Sequence, residues 1–139
     1  MNPEYLVSLT ARNQMFNFSG VGSPPWEVVS WKLSRLSSMA SSFARYKYAL
    51  EYSQRGKLEI MVLAELRRRH KKQTVWNTDI GEGMVKLGLV ESMLERSLPP
   101  KAQALVMGIS QTSWRKHRKM YGLYVRKIYS NLESELYSV

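Results

Sequence analysis

The side chains with the clearest chemical potential lie in one short run, Arg115 to Lys119, in the C-terminal third of the chain. Four of its five residues are arginine or lysine, and no acidic residue interrupts them. Lysine and arginine bind phosphate and guanine, while glutamine and hydroxyl side chains hydrogen-bond to other base edges. The run and the polar residues before it therefore predict contact with DNA; a solvated helix face is the alternative. The candidate DNA-binding residues are Gln111, Thr112, Ser113, Arg115, Lys116, Arg118 and Lys119.

A second basic run occupies positions 67 to 72 and reads Arg-Arg-Arg-His-Lys-Lys. Cations at the C-terminal end of a helix interact favourably with its dipole, which accounts for part of the run. Six consecutive basic residues exceed what capping requires, so phosphate contact is the other interpretation. The candidate phosphate-contacting residues are Arg67, Arg68, Arg69, Lys71 and Lys72.

The overall charge points to a polyanionic partner. The chain of 139 residues carries 21 Lys and Arg against 11 Asp and Glu, a formal charge of +10. An excess of this size in one small domain favours nucleic acid first and an anionic membrane surface second. A basic surface without a partner is the third alternative.

Several classes of site find no support in the residue types. The absence of cysteine excludes disulfides and thiolate metal sites, and the two histidines, His70 and His117, are far apart, so we expect no metal and no cofactor. No paired carboxylates or nucleophile triad can be recognised, and Gly81-Glu82-Gly83 lacks the lysine of a phosphate-binding loop, so we expect no enzymatic activity. Neither a membrane span nor a signal peptide is evident, which favours the cytoplasm.

The elements that must position these residues are all helical. Residues 1–25 are expected to form an irregular arm, with disorder as the alternative, and residues 26–139 a single compact helical domain. The apolar spacing predicts a first helix from Pro25 or Trp26 to about Tyr52, with a break at Gly56. Further helices are expected at 57–71 and from Met84 to Leu94, joined by a connector at 74–83. The connector contains the N-cap candidates Asn77, Thr78 and Asp79.

A helix-turn-helix is predicted at about residues 100–136. Pro100 to Met107 forms the first helix, Gly108 the turn, and Ser110 caps a second helix that runs to about Leu136. Ala104 supplies the small residue that close helix packing needs, and the glycine four residues later supplies the positive φ of the turn. Trp114 falls on the inward-facing position of the second helix, whose first turns carry the basic run.

The segment from Ala104 to Arg115, with Tyr121 and Glu133 after it, resembles the C-terminal part of the lambda-type bacteriophage late-gene antitermination proteins, the Q family. The shared feature is a short apolar helix, a turn of aliphatic residue, Ser and Gln, then Trp followed seven residues later by Tyr. The pattern from about Leu36 to Arg69 is also similar to upstream helices of that family. The likeness covers roughly two-thirds of the chain.

The resemblance implies a helix-turn-helix like that of sigma-factor region 4. It also implies a protein that binds late-promoter DNA, engages bacterial RNA polymerase through its sigma factor, and makes the enzyme read through terminators in the host cytoplasm. Lambda-type members carry a cysteine-rich zinc element, which this cysteine-free chain lacks. The alternatives are a helix-turn-helix regulator that does not travel with polymerase, and an interaction protein that binds a host factor.

Overall fold

A computed structural model describes residues 35–138, and within that range the chain is helical with no β-strand. The expected arm at 1–25 and the expected start of the first helix lie outside the described residues. Two compact units can be distinguished: one contains the described residues up to Leu58 with those from Leu132 onward, and the other contains Glu59–Asn131. The helices are α1 Ser38–Lys47, α2 Gln54–Arg69, a 3₁₀ turn Thr74–Asn77, α3 Asp79–Leu94, α4 Pro100–Met107, α5 Gln111–Met120, a π turn Tyr121–Val125, and α6 Arg126–Tyr137.

The expected long first helix is wrong in the described part of the chain. Ser37 has extended backbone angles (φ −61°, ψ 159°), and its Oγ accepts a hydrogen bond from the backbone N–H of Ala40. A serine that satisfies a free N–H in this way starts a new helix, because its side chain replaces the missing carbonyl of the previous turn. The helix also ends early, at Lys47, and Leu50 then adopts a left-handed conformation with φ 56°.

α2 begins at Gln54, three residues before the expected position. Gly56 therefore lies in its first turn and does not mark the break, which Leu50 provides instead.

In the first unit, the side chains of Leu36, Ala40, Phe43, Tyr46 and Leu136 are buried. Polar contacts join α1 to the end of α6 within this unit: Ser37 N–H donates to Glu135 over 2.7 Å, and Lys47 pairs with Glu133 over 3.2 Å.

In the second unit, Thr78, one of the three predicted N-cap candidates, is the N-cap of α3, which begins at Asp79. The predicted connector at 74–83 is therefore too long, because its last five residues are helical. Gly81 and Gly88 are inside this helix and mark close approaches. A Cβ on Gly81 would lie 2.5 Å from the Val75 carbonyl oxygen, and one on Gly88 would lie 2.4 Å from the Tyr129 ring. Glycine is thus required for packing here, although it weakens a helix by its intrinsic propensity.

The predicted bounds of α4 are confirmed, and so are the glycine turn and the serine cap that follow it. Gly108 has φ 71°; its N–H donates to Leu105, and that of Ile109 donates to Ala104, which is the hydrogen-bond pattern of a Schellman motif. Ser110 then caps α5 by accepting from the N–H of Ser113 over 3.1 Å. The chain stays helical to Tyr137, as expected to within one residue, but a π turn at Tyr121–Val125 interrupts it.

Candidate nucleic-acid interface

α5 presents its charged side chains to solvent and its one tryptophan to the core. Trp114 is only 1% exposed, as the inward position predicted. Ser113 is half-buried, and its backbone N–H donates to the capping Ser110. The remaining predicted DNA-binding residues are all exposed: Gln111, Thr112, Arg115, Lys116, Arg118 and Lys119.

The exposed charge on α5 is not neutralised by neighbouring acids. None of its four cations has an acidic group within 4.0 Å in the part of the chain that the structure describes. The sequence accounts for this, because no Asp or Glu occurs between Glu95 and Glu133, whereas eight Lys and Arg do. Such a surface generates a local positive potential that attracts a polyanion.

Trp114 is held by a hydrogen bond as well as by packing. Its Nε1–H donates to the Oε1 of Gln103 over 2.9 Å, and the Gln103 side chain is fully buried. The indole ring also packs on the ring of Tyr121, with centroids 5.6 Å apart. These contacts fix the rotation of α5 about its own axis, and thereby determine which of its side chains face outward.

Glu91, on α3, is the centre of the buried network behind this helix. Its Oε1 accepts from the Tyr121 hydroxyl (2.5 Å) and from Arg126 Nε (3.0 Å). Its Oε2 accepts from the Leu98 N–H (2.7 Å), from Gln103 Nε2 (3.0 Å) and from Arg126 Nη2 (3.1 Å). One carboxylate, only 7% exposed, therefore joins α3, α4, the π turn and α6.

The electrostatics of the network match this geometry. Burial by itself raises the pKa of Glu91, but the hydrogen bonds from Arg126, Tyr121, Gln103 and the Leu98 backbone outweigh it, and the pKa is lowered. Burial and the adjacent carboxylate raise the pKa of Tyr121, and the hydrogen bond to Glu91 raises the pKa of Arg126. The carboxylate is therefore ionised and the phenol neutral at neutral pH, which is the state that all these donors require.

The basic run at 67–72 is placed differently from the run on α5. Arg67 Nε donates to the backbone carbonyl of Trp76 over 2.9 Å, and Arg68 and Arg69 both bind Glu65 at 2.5 Å. These three arginines thus have partners within the protein, and their contact with phosphate stays a prediction. Lys71 and Lys72 are exposed beyond the end of α2.

Sequence reasoning missed the network formed by Glu91, Gln103, Tyr121 and Arg126. The one available signal was an acid among apolar positions of α3, since Glu91 follows the buried positions Met84, Leu87 and Leu89 on that helix. Its partners lie 7 to 35 residues away in sequence, which no local pattern reveals.

In the described residues, no three His, Cys, Asp or Glu side chains come together in a way that could hold a metal ion. Among the helices that the structure describes, none is long and apolar enough to cross a membrane.

Comparisons with protein-family models, with curated proteins and with solved structures gave no match for this chain.

Proposed function

We propose that this chain binds double-stranded DNA through α5, as the second helix of a helix-turn-helix formed with α4. The observation that carries the proposal is the set of four exposed cations on α5 that have no acidic partner among the described residues. The Schellman turn at Gly108 and the buried bond between Trp114 and Gln103 support it, because they hold the basic helix rigidly on the domain. Rigid presentation of a helix is what recognition in a DNA groove requires.

Within this proposal, the chain acts on transcription as an antiterminator of the phage late-gene type. This step rests on the resemblance of the segment Ala104–Arg115 to that family. Its partners would be late-promoter DNA and bacterial RNA polymerase with its sigma factor. The lack of the zinc element means that the helical frame around Glu91 must position the DNA-binding helix without a metal.

DNA binding is tested by matched charge variants of the full chain on a 24-base-pair duplex of random sequence. Arg115→Ala with Lys119→Ala removes two cations from α5, while Lys57→Ala with Lys86→Ala removes two exposed cations from other helices. We expect the α5 variant to weaken binding at least tenfold and the control variant to change it less than twofold. Equal losses in both would show that net charge alone attracts the DNA.

Antitermination is tested by transcription in vitro with bacterial RNA polymerase. The template carries the promoter that neighbours the gene for this chain, followed by a terminator. The proposal predicts more read-through when the protein is added, and loss of that gain in the α5 variant. DNA binding without read-through would instead indicate a regulator that does not travel with polymerase.

A further inference from the structure

We propose that the chain faces DNA with one row of side chains along the outer side of α5 and α6, here called the outer row: Thr112, Lys116, Lys119 and Lys127. The first three would contact base edges, and Lys127 would contact a phosphate beyond the groove. This inference rests on the proposed DNA-binding function. It specifies which residues contact bases and which contact phosphates. Lys127 was not among the residues that the sequence indicated.

The direction of each lysine follows from the buried positions around it. Successive residues of a helix are about 100° apart, so a residue two places from a buried one points roughly 160° to 200° away from the core. Lys116 lies two residues after Trp114, and Lys119 lies two before Tyr121; these aromatic side chains are 1% and 0% exposed. Both lysines therefore point directly away from the core.

The same direction continues through the π turn into α6. Tyr121 and Val125, at the two ends of the π turn, are both 0% exposed, so the inner side of the helix is continuous across it. Lys127 lies two residues after Val125 and two before Tyr129, which is 4% exposed. It is itself exposed, and no acid of the described chain pairs with it. Lys127 thus belongs to the outer row.

The arginines of α5 lie to the side of this row. Arg118 comes four residues after Trp114 and three before Tyr121, which places it about 40° to 60° from the inner side. Arg115 follows Trp114 directly and lies about 100° from it. A helix in the major groove offers the bases the face opposite its own domain. The lysines then reach the groove floor, where lysine pairs with guanine O6 and N7, and the arginines reach the phosphates at the groove edge.

Distance along the helix separates Lys127 from the base-reading part. Lys127 lies eleven positions after Lys116, which is about 16 Å along the helix at 1.5 Å per residue. The major groove is about 12 Å wide. A side chain that far along the helix has passed the groove, so its partner is the phosphate backbone.

The first test compares Lys116→Ala/Lys119→Ala with Arg115→Ala/Arg118→Ala, two double variants that lose the same charge. The probes are a duplex selected from a random pool with the unaltered protein, and the unselected pool. We expect the lysine variant to lose preference for the selected duplex, by on the order of tenfold for each base contact. The arginine variant should lower the affinity for both probes by the same factor. The inference would be overturned if the arginine variant lost the preference and the lysine variant lowered both affinities equally. Circular dichroism and urea unfolding check that both variants are folded.

The second test uses Lys127→Ala, with Lys86→Ala as control for an exposed lysine on α3. Loss of one phosphate contact should weaken both probes equally and reduce the slope of log K against log salt by about 0.9. The Lys86 variant should keep the original slope, and an unchanged slope for Lys127→Ala would contradict its place in the interface. If the unaltered protein binds neither probe at low salt, the proposed DNA-binding function is wrong. If it binds both probes but the variants do not behave as described, DNA binding is retained and the outer row is not the surface that contacts DNA.

Discussion

The indole Nε1–H of Trp114 donates to Gln103 Oε1 over 2.9 Å in the interior of the protein, where both side chains are at most 1% exposed. Gln103 passes the connection on, because its Nε2 donates to Glu91. A buried N–H without an acceptor is costly, so this chain of bonds allows one orientation of α5 relative to α4. The orientation of the basic helix thus depends on the Trp114–Gln103 hydrogen bond as well as on the packing of Trp114 against Tyr121.

Replacing Trp114 tests this link first. Trp114→Ala removes a large buried aromatic side chain and leaves the Gln103 oxygen without its donor, so we expect a loss of about 3 to 5 kcal/mol in the free energy of unfolding. Leu105→Ala, at a position of α4 that is 75% exposed, is the control and should change stability by no more than about 0.5 kcal/mol. Urea unfolding measures both. Equal stability of the Trp114 variant and the unaltered protein would contradict its structural role.

The lowered pKa of Glu91 predicts a dependence of stability on pH. A carboxyl whose folded pKa lies below its unfolded value, about 4.3 for Glu, stabilises the fold above that value, and the contribution is lost as pH falls through the folded pKa. We expect Glu91→Gln to be less stable at pH 7, by about 1 to 3 kcal/mol, because buried donors lose their acceptor. Its stability should also fall less steeply on acidification.

The matched control for this prediction is Glu82→Gln, an exposed position on the same helix. Urea midpoints measured from pH 7 down to pH 3 compare the three proteins. Parallel curves for the Glu91 variant and the unaltered protein would show that the Glu91 carboxylate contributes nothing to the acid sensitivity.

Gly108 provides a test of the turn before α5. Its φ of 71° is strained for a residue with a Cβ, although a Cβ there would meet no atom within 4 Å. Gly108→Ala should therefore lose about 1 to 2 kcal/mol from backbone strain alone. Gly56→Ala in the first turn of α2, where a Cβ also meets nothing within 4 Å, should lose no stability. A neutral Gly108 variant would mean that the turn is not left-handed in solution.

The sequence also predicts that folding needs no metal, since it contains no cysteine and its two histidines are remote from each other. A chelator such as EDTA should leave the melting temperature unchanged. A fall of several degrees that zinc reverses would reveal a ligand set that the sequence pattern did not indicate.

Local signals explain which elements could be predicted from the sequence. Pro100, Gly108 and Ser110 each satisfy a backbone requirement of their own position, and the structure has α4, the turn and the start of α5 where these residues predicted them. The inward position of Trp114 followed from the same register and is confirmed. The DNA contacts of α5 stay a prediction, although its cations are exposed as that role requires.

Features that depend on distant contacts could not be predicted in this way. The apolar stripe of the first expected helix continues across Ser37, so periodicity alone concealed the N-cap at that residue. Gly81 argued against a helix by propensity, but the closely packed Val75 and Trp76 backbone requires it there. The Glu91 network joins residues up to 35 positions apart, for which a single sequence offers no periodic signal.

DNA binding by this protein should weaken steeply as the salt concentration rises. We propose that the exposed cations of α5, which have no acidic partners in the described chain, bind duplex DNA. If about six phosphates are neutralised, a plot of log K against log salt for the unaltered protein on duplex DNA should have a slope near −5. A slope near zero, or no binding even at low salt, would contradict the claim that this protein binds nucleic acid.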